Sequence, residues 1–370
     1  MQGVRMVSSE FRSDWDDSRE RFRAFWQREL VDRCCIAVRA RRKGAPPAPA
    51  VPQPATREEL VRAWVDPEAS LEHMLAGMER TFYGGEAYPA TTMCLGASVM
   101  AAFYGARVEF RPETVWFHPT IRDIRTCRWD MPIEAAPLYR ETFDATRYYA
   151  GECRGRYLVG LPEIGSATDD LSLLRGMQEL LYDMMDVPDA VHRGIRALVE
   201  TWCRVHTDLF HIARPCNDGG CCIPWMQTWA PGPHYQMSCD FSAILSPAMF
   251  REFIVPELEG YMSVNEYSVY HWDGPDAVKH LDALLELPAL RAIQWTPGAG
   301  QPRTSSPRWL PHLKRTQAAG KCLILPCAEP DEVETLLAEL SSRGLLISTY
   351  AASEDDARAL LRRIASWTHD

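Results

Sequence analysis

The sequence predicts an α/β protein folded as a (β/α)8 TIM barrel that carries an N-terminal helical and irregular extension. Three observations lead there. From about residue 157 onward, short apolar runs alternate with amphipathic stretches of helical length, the pattern of parallel strands joined by crossover helices. Seven such runs occur, and the earlier region can supply an eighth, which fits a closed barrel better than an open sheet. No Gly-x-Gly-x-x-Gly follows a strand, which argues against a dinucleotide-binding sheet.

The first element is a helix over residues 13–31, where Trp15, Phe22, Trp26 and Leu30 recur at helical spacing and Ser13 with Asp16 resembles a capping box. A short apolar run at 34–38 is followed by a Pro-rich stretch, 44–54, that reads as an exposed loop. Helical pattern resumes over 57–81, and the text is then irregular to about residue 150. Residues 1–150 therefore read as an extension that packs on the barrel and supplies its first strand, and 151–370 as the main part of the barrel. Its expected strands lie at 157–161, 221–229, 239–245, 268–272, 290–295, 321–325 and 345–349. The expected helices are 171–185, 188–212, 247–261, 276–285, 307–318, 331–340 and 354–367. Ser246-Pro247 places a cap before a first-turn proline, and Ser353 with Asp356 resembles a second capping box.

Composition removes several functions. Of 370 residues 46% are hydrophobic and 24% charged, which excludes fibrous and largely disordered classes. A formal net charge of -10 disfavours nucleic acid and anionic lipid as partners, and the one basic cluster, Arg39, Arg41, Arg42 and Lys43, runs into the Pro-rich loop. The first 21 residues hold no apolar core for secretion, and residues 91–106 are too short and interrupted for a membrane span, so a cytoplasmic location is expected. Twelve cysteines without a Cys-x-x-Cys pair read as thiols rather than a zinc ribbon.

The densest chemistry is Tyr270-His271-Trp272-Asp273-Gly274-Pro275. Alternate strand residues face one side, so His271 and Asp273 project together near a strand's carboxyl end, where barrel enzymes build their sites. They read as a metal pair or as a base with its orienting acid, or else as a locally bonded His and a helix-capping Asp. Asp240 falls near another strand end and is a candidate acid, base or ligand, with Cys239 beside it as a candidate thiolate. Gln294 opens a Gly/Pro loop able to wrap a ligand, and Trp272 flanks the His/Asp pair. In the extension, Glu86 within Tyr83-Gly84-Gly85-Glu86-Ala87-Tyr88-Pro89, and Trp116 with His118 in Glu113-Thr114-Val115-Trp116-Phe117-His118-Pro119, are candidates to close over the mouth and bind substrate.

At these residues the chain resembles the uroporphyrinogen decarboxylase superfamily. The carriers are SPAMFREFIVPEL (246–258), SVYHWDGP (268–275) and AIQWTPGAG (292–300), and the likeness covers most of the chain. It resembles more narrowly a group of uncharacterised decarboxylase-like proteins, in which YGGEAYP and ETVWFHP also occur. The resemblance implies a (β/α)8 barrel and either decarboxylation or zinc-dependent methyl transfer from a corrinoid carrier to a thiol. The decarboxylase's arginine-rich substrate motif has no evident counterpart. In the methyltransferases zinc sits on a His-x-Cys motif and a later Cys. Here His271 matches the His, Asp273 stands at the Cys, and Ser348-Thr349-Tyr350 lacks the last one, for which Cys327 on the preceding strand is the candidate replacement.

The leading expectation is a metal-dependent, methyltransferase-like enzyme acting on a small thiol or other nucleophile. Zinc or another divalent metal would be held by His271, Asp273 and Cys327 or Cys239, and the methyl donor would be a corrinoid protein or another donor. The alternatives are metal-free decarboxylase or lyase chemistry on a small carboxylate, with Asp240 or Asp273 as the acid/base, and a non-catalytic barrel that binds a ligand or a corrinoid protein. The superfamily's frequent dimers make a homodimer the oligomer to look for.

Overall fold

The computed structural model describes residues 11–12, 14–49 and 54–370. The first helix, Trp15–Gln27, buries Trp15, Phe22, Phe25 and Trp26 along one face. Ser13, expected in its capping box, lies outside the described residues.

Among the described residues thirteen strands follow in chain order: β1 (Cys35–Arg41), β2 (Thr81–Gly85), β3 (Ala90–Thr91), β4 (Arg107–Phe110), β5 (Val115–His118), β6 (Leu158–Val159), β7 (Cys221–Ile223), β8 (Thr228–Ala230), β9 (Gln236–Met237), β10 (Val269–Asp273), β11 (Ala292–Thr296), β12 (Cys322–Ala328) and β13 (Leu345–Tyr350). Seven make the central sheet in the order β2-β1-β13-β12-β11-β10-β9. Every pairing in it is parallel except β1 with β2, so the carboxyl ends of the parallel strands share one edge. A parallel pair, β3 with β6, and two antiparallel hairpins, β4–β5 and β7–β8, stand apart from that sheet.

The sheet has two apolar faces, as crossover connections demand. Ile36, Val38, Tyr270, Trp272, Ile293, Trp295, Leu323, Leu325, Leu345 and Ile347 pack against the long helices, among them Pro188–Ala213 and Glu354–Trp367. On the other face Cys35, Val269, Ala292, Cys322 and Leu346, the first or second residues of their strands, meet the first helix and the β7–β8 hairpin. That helix therefore plugs the amino end of the sheet and leaves the inner face free toward the carboxyl end.

Several expected elements are re-cut for physical reasons. The run 221–229 is a hairpin, and 239–245 is a single-turn 3-10 helix, Asp240–Ile244, because the Asp240 and Phe241 N–H groups are taken by the Asp169 carboxylate instead of a ladder. The helix at 171–185 divides into Ala167–Arg175 and Met177–Asp186 at Gly176, whose φ of 99° only glycine adopts readily. Over 247–262 a wider π turn, Phe250–Ile254, precedes Pro256, which has no N–H to continue the α ladder. Both expected caps form: Ser246 Oγ accepts from Met249 N–H, and Ser353 Oγ accepts from Asp356 N–H. Among the described residues, no helix is long and apolar enough to cross a membrane.

Candidate functional site

β10 brings His271 and Asp273 to the inner face two residues apart, at the carboxyl end of the strand. Asp240, first residue of the turn that follows β9, joins them: one ligating atom of each of the three lies within 4.8 Å of those of the other two. Asp240 and Asp273 are exposed and His271 is half-buried, so the group is reachable from solvent. Burial pushes the Asp273 carboxyl above its ordinary value; His271 opposes the rise and the nearby Asp240 adds to it.

The imidazole is oriented from the neighbouring strand. His271 pairs directly with Gln294 in the ladder, and its Nδ1 is hydrogen-bonded to Gln294 Oε1. Gln294 is fully buried and donates through Nε2 to Thr296 Oγ1 at 2.7 Å, which fixes the amide with its oxygen toward the ring. Nδ1 is then the N–H of His271 and Nε2 is left without a proton, the kind of outer hydrogen bond that can set a metal-binding tautomer. Trp225, at the tip of the β7–β8 hairpin, meets the ring edge-to-face with centroids 5.4 Å apart. The tip is seated by Gly160, where a Cβ would lie 2.4 Å from the Pro224 ring.

More carboxylates surround the three. Glu163 follows β6; its carboxylate accepts from Gln236 Nε2 at 2.5 Å, and its flanks are pinned by Tyr235, whose hydroxyl donates to Pro162 O (2.9 Å) and accepts from Ile164 N–H (2.8 Å). Burial, with help from Asp240 and Asp169, pushes the Glu163 carboxyl up to about 8, so it holds a proton at neutral pH. Asp169 accepts from Asp240 N–H (3.0 Å) and Phe241 N–H (2.8 Å), and burial followed by the charge of Asp240 raises it to about 6. Asp170 is fully buried, accepts from Ala101 N–H, and is raised well above its ordinary value by burial. None of Glu163, Asp169, Asp240 or Asp273 forms an ion pair among the described residues. The cation at this end of the inner face is Arg39 of β1, opposite Tyr350 in the ladder; its guanidinium lies over the Tyr350 ring at 4.2 Å and is likewise without an ion pair among the described residues.

No protein-family model matches this chain, and no characterised protein matches it. The functional reading rests on the geometry and on the sequence.

Of the expected site residues, Asp240, His271 and Asp273 come together with Gln294 behind them. Gln294 is fully buried, so it serves the imidazole and not a ligand. Cys327 lies outside the group: a bulge between Leu325 and Ala328 disrupts β12, and Cys327 sits exposed at a φ of 55° with its N–H bonded to Ser348 Oγ. Cys239 is a buried core residue whose thiol is pushed well above its ordinary value by burial, which removes it as a thiolate.

Glu86 is at the opposite end of the sheet, fully buried, with its carboxylate held by Arg33 (2.7 and 2.9 Å) and by Ile36 N–H (2.7 Å). No edge of it is left for a substrate. Trp272 faces the helices, where its indole N–H donates to Ala277 O and its ring packs on Trp295. Trp116 and His118 lie on the β4–β5 arm; His118 pairs with Glu109, and the arm is tied through Thr120 and Ile121 N–H to Leu174, at the far end of helix Ala167–Arg175 from Asp169.

The residues that sequence reasoning missed are Glu163, Asp169, Arg39 and Trp225. Glu163 had a usable signal, since it stands just past an apolar run and before a capped helix. Arg39 was grouped with its basic neighbours, although β1 ends at Arg41 and leaves Arg42 and Lys43 outside the strand.

Proposed function

We propose that this chain is a divalent-metal-dependent, methyltransferase-like enzyme in which Asp240, His271 and Asp273 hold zinc or a similar ion and a small nucleophile is activated beside them. The observation that carries this reading is the convergence of one imidazole and one carboxylate from β10 with a second carboxylate from the turn after β9, with the imidazole oriented by Gln294. The donor set fits a catalytic ion: three protein ligands leave coordination open, and two carboxylates balance a 2+ charge. When bound, the ion supplies Lewis acidity that lowers the pKa of the nucleophile's proton. With one nitrogen and two oxygens and no sulfur, the set is harder than the thiolate-rich site of the resembled methyltransferases, and so favours an oxygen or nitrogen nucleophile over a thiol.

The chain's own groups divide the remaining work. His271 and the two aspartates fix the nucleophile's position. Trp225 walls one side and limits water. Arg39, stacked on Tyr350, anchors an anionic group of the substrate through charge-assisted hydrogen bonds. Glu163 holds a proton ready for a leaving group. The corrinoid donor belongs to the same proposal and is supported by the resemblance alone. The (β/α)8 barrel belongs to it as well, and is supported by the parallel β3–β6 pair, which follows β2 in the chain and leads into residues 162–164, where Tyr235 and Gln236 make side-chain hydrogen bonds.

The test is elemental analysis of the purified protein beside His271→Ala and Asp273→Ala. The expected result is near-stoichiometric metal in the wild type and only traces in both variants. Metal content unchanged by either substitution sinks the reading. A second reading, a metal-free decarboxylase or lyase acting on a small carboxylate, is favoured by the buried Glu163, which holds a proton at neutral pH, and it predicts turnover that survives chelation.

A further inference from the structure

Asp169 occupies the third position of helix Ala167–Arg175, after the N-cap residue Ser166. Ser-x-x-Asp at a helix start ordinarily forms a capping box, in which the acid reaches back to the backbone N–H of the cap residue. Here it does not. Ser166 Oγ donates to Asp169 Oδ2 at 2.8 Å, yet the carboxylate turns away from its own helix and accepts Asp240 N–H at 3.0 Å and Phe241 N–H at 2.8 Å, across 71 and 72 residues of chain. Those N–H groups begin the Asp240–Ile244 turn, whose own preceding residue, Cys239, offers no side-chain cap. The first N–H groups of any helical turn lack partners within it. Asp169 is therefore the cap of a different element from the one it belongs to, and the residue it caps is the ligand Asp240.

The segment around Asp169 is itself rigidly placed. Ala167 N–H donates to Tyr261 Oη, Thr168 N–H and Oγ1 donate to Glu257, and Asp170 accepts Ala101 N–H from the extension. Four consecutive residues thus fasten the start of this helix to three other parts of the molecule. Of the three ligands, His271 and Asp273 are carried by β10, which is paired along its whole length with β11, whereas Asp240 is carried by a short 3-10 helix held through Asp169.

We propose that Asp169 is a positioning residue for the metal site, setting the ion's affinity through the backbone of Asp240 without touching the ion. The inference rests on the metal reading above. It is tested with the metal alone, by titrating the full-length protein with cobalt(II) and following its visible absorption, with zinc affinity obtained by competition. Asp169→Ala is expected to weaken binding by about ten- to a hundredfold, the range for outer partners of metal ligands. Asp169→Asn, which keeps one carbonyl acceptor, is expected to fall between this variant and the wild type and to show the wild-type cobalt spectrum. The deciding measurement is the double-mutant cycle with Asp240→Ala: once Asp240 is gone, removing Asp169 costs no further affinity.

Wild-type affinity in Asp169→Ala overturns the inference and leaves the metal site standing. So does an equal loss in the Asp240→Ala background, which would mean a through-space charge effect or a general loss of structure. Should Asp169→Ala fail to fold, Asp169→Asn decides alone, with undiminished affinity overturning the proposal. A wild type that binds no cobalt or zinc overturns the metal reading and this inference together.

Discussion

At the amino end of β1, Glu86 is fully buried and meets two arginines and a backbone N–H; at the carboxyl end of the parallel strands, Glu163, Asp169, Asp240 and Asp273 crowd together without an ion pair among the described residues. The chemical group is the same and its treatment is opposite. A carboxylate surrounded by cations is neutralised and geometrically saturated, and it ties the first helix, β1 and β2 into one unit. Carboxylates set beside each other cost stability, and that cost is accepted where a bound cation or a transferable proton makes use of it. The contrast separates the structural acid from the candidate functional ones more cleanly than burial does, because Glu86 is the most buried of the five.

The largest effect is expected at the amino end. Glu86→Ala leaves Arg33 and Arg21 facing a void and Ile36 N–H without its partner, and breaking such a pair from one side costs about 3–5 kcal/mol. Thermal unfolding should show a melting temperature lowered by many degrees, with metal content per folded molecule unchanged. A variant as stable as the wild type would break the contrast outright.

The next effect belongs to the site. Gln294→Leu keeps the bulk beside His271 and removes the acceptor for its Nδ1, so the tautomer is no longer fixed. Metal affinity is expected to fall by about ten- to a hundredfold. The melting temperature of the metal-free protein should move far less than in Glu86→Ala.

Asp273→Asn sharpens the comparison with a change of sign. It removes one of two like charges that face each other across the site, and in the absence of metal it should stabilise the fold by about 0.5–2 kcal/mol, as relief of a functional strain does. On the proposed metal reading, the same substitution should empty the site. Chemical denaturation in the presence of a chelator reads the first outcome and elemental analysis the second; destabilisation in chelator would show that Asp273 plays a structural part.

How far the sequence foretold this contrast follows from which signals are local. The strands β10 to β13 and the helices between them were legible because apolar periodicity and caps lie within each element, and His271 with Asp273 was legible because strand alternation alone brings them together. Asp240 was expected near a strand end and does follow β9, but the run 239–245 read as a strand is a 3-10 turn, dictated by Asp169, 71 residues away. Glu86 was misread because its neighbours, two glycines and two tyrosines, look like a loop, while the arginines that claim it lie 53 and 65 residues upstream. Cys327 was misread because a bulge in β12 shifts the register that alternation assumes.

The smallest expected effect is on the pH dependence of stability, and its sign distinguishes the two ends again. A carboxyl raised by burial stays protonated in the folded chain at pH values where the unfolded chain has released its proton, so stability falls as pH rises from the ordinary carboxylate range through the raised value. Glu163, raised to about 8, and Glu257, raised to about 7 by burial against the Thr168 and Tyr261 bonds, both act this way. His206 and His234 act oppositely. Burial lowers them to about 3 and about 4, so below their ordinary value of 6.5 the unfolded chain takes up the protons and stability falls as pH drops. The two contributions oppose each other and cross in the mildly acidic range, from which metal-free protein should lose a few degrees in melting temperature toward about pH 8. Glu163→Gln, neutral at every pH, should flatten the alkaline limb while leaving the acid limb alone. An alkaline limb unchanged in Glu163→Gln and in Glu257→Gln would mean that these carboxyls ionise in the folded chain as they do in the unfolded one, and that the carboxyl end is less demanding of its acids than its geometry implies.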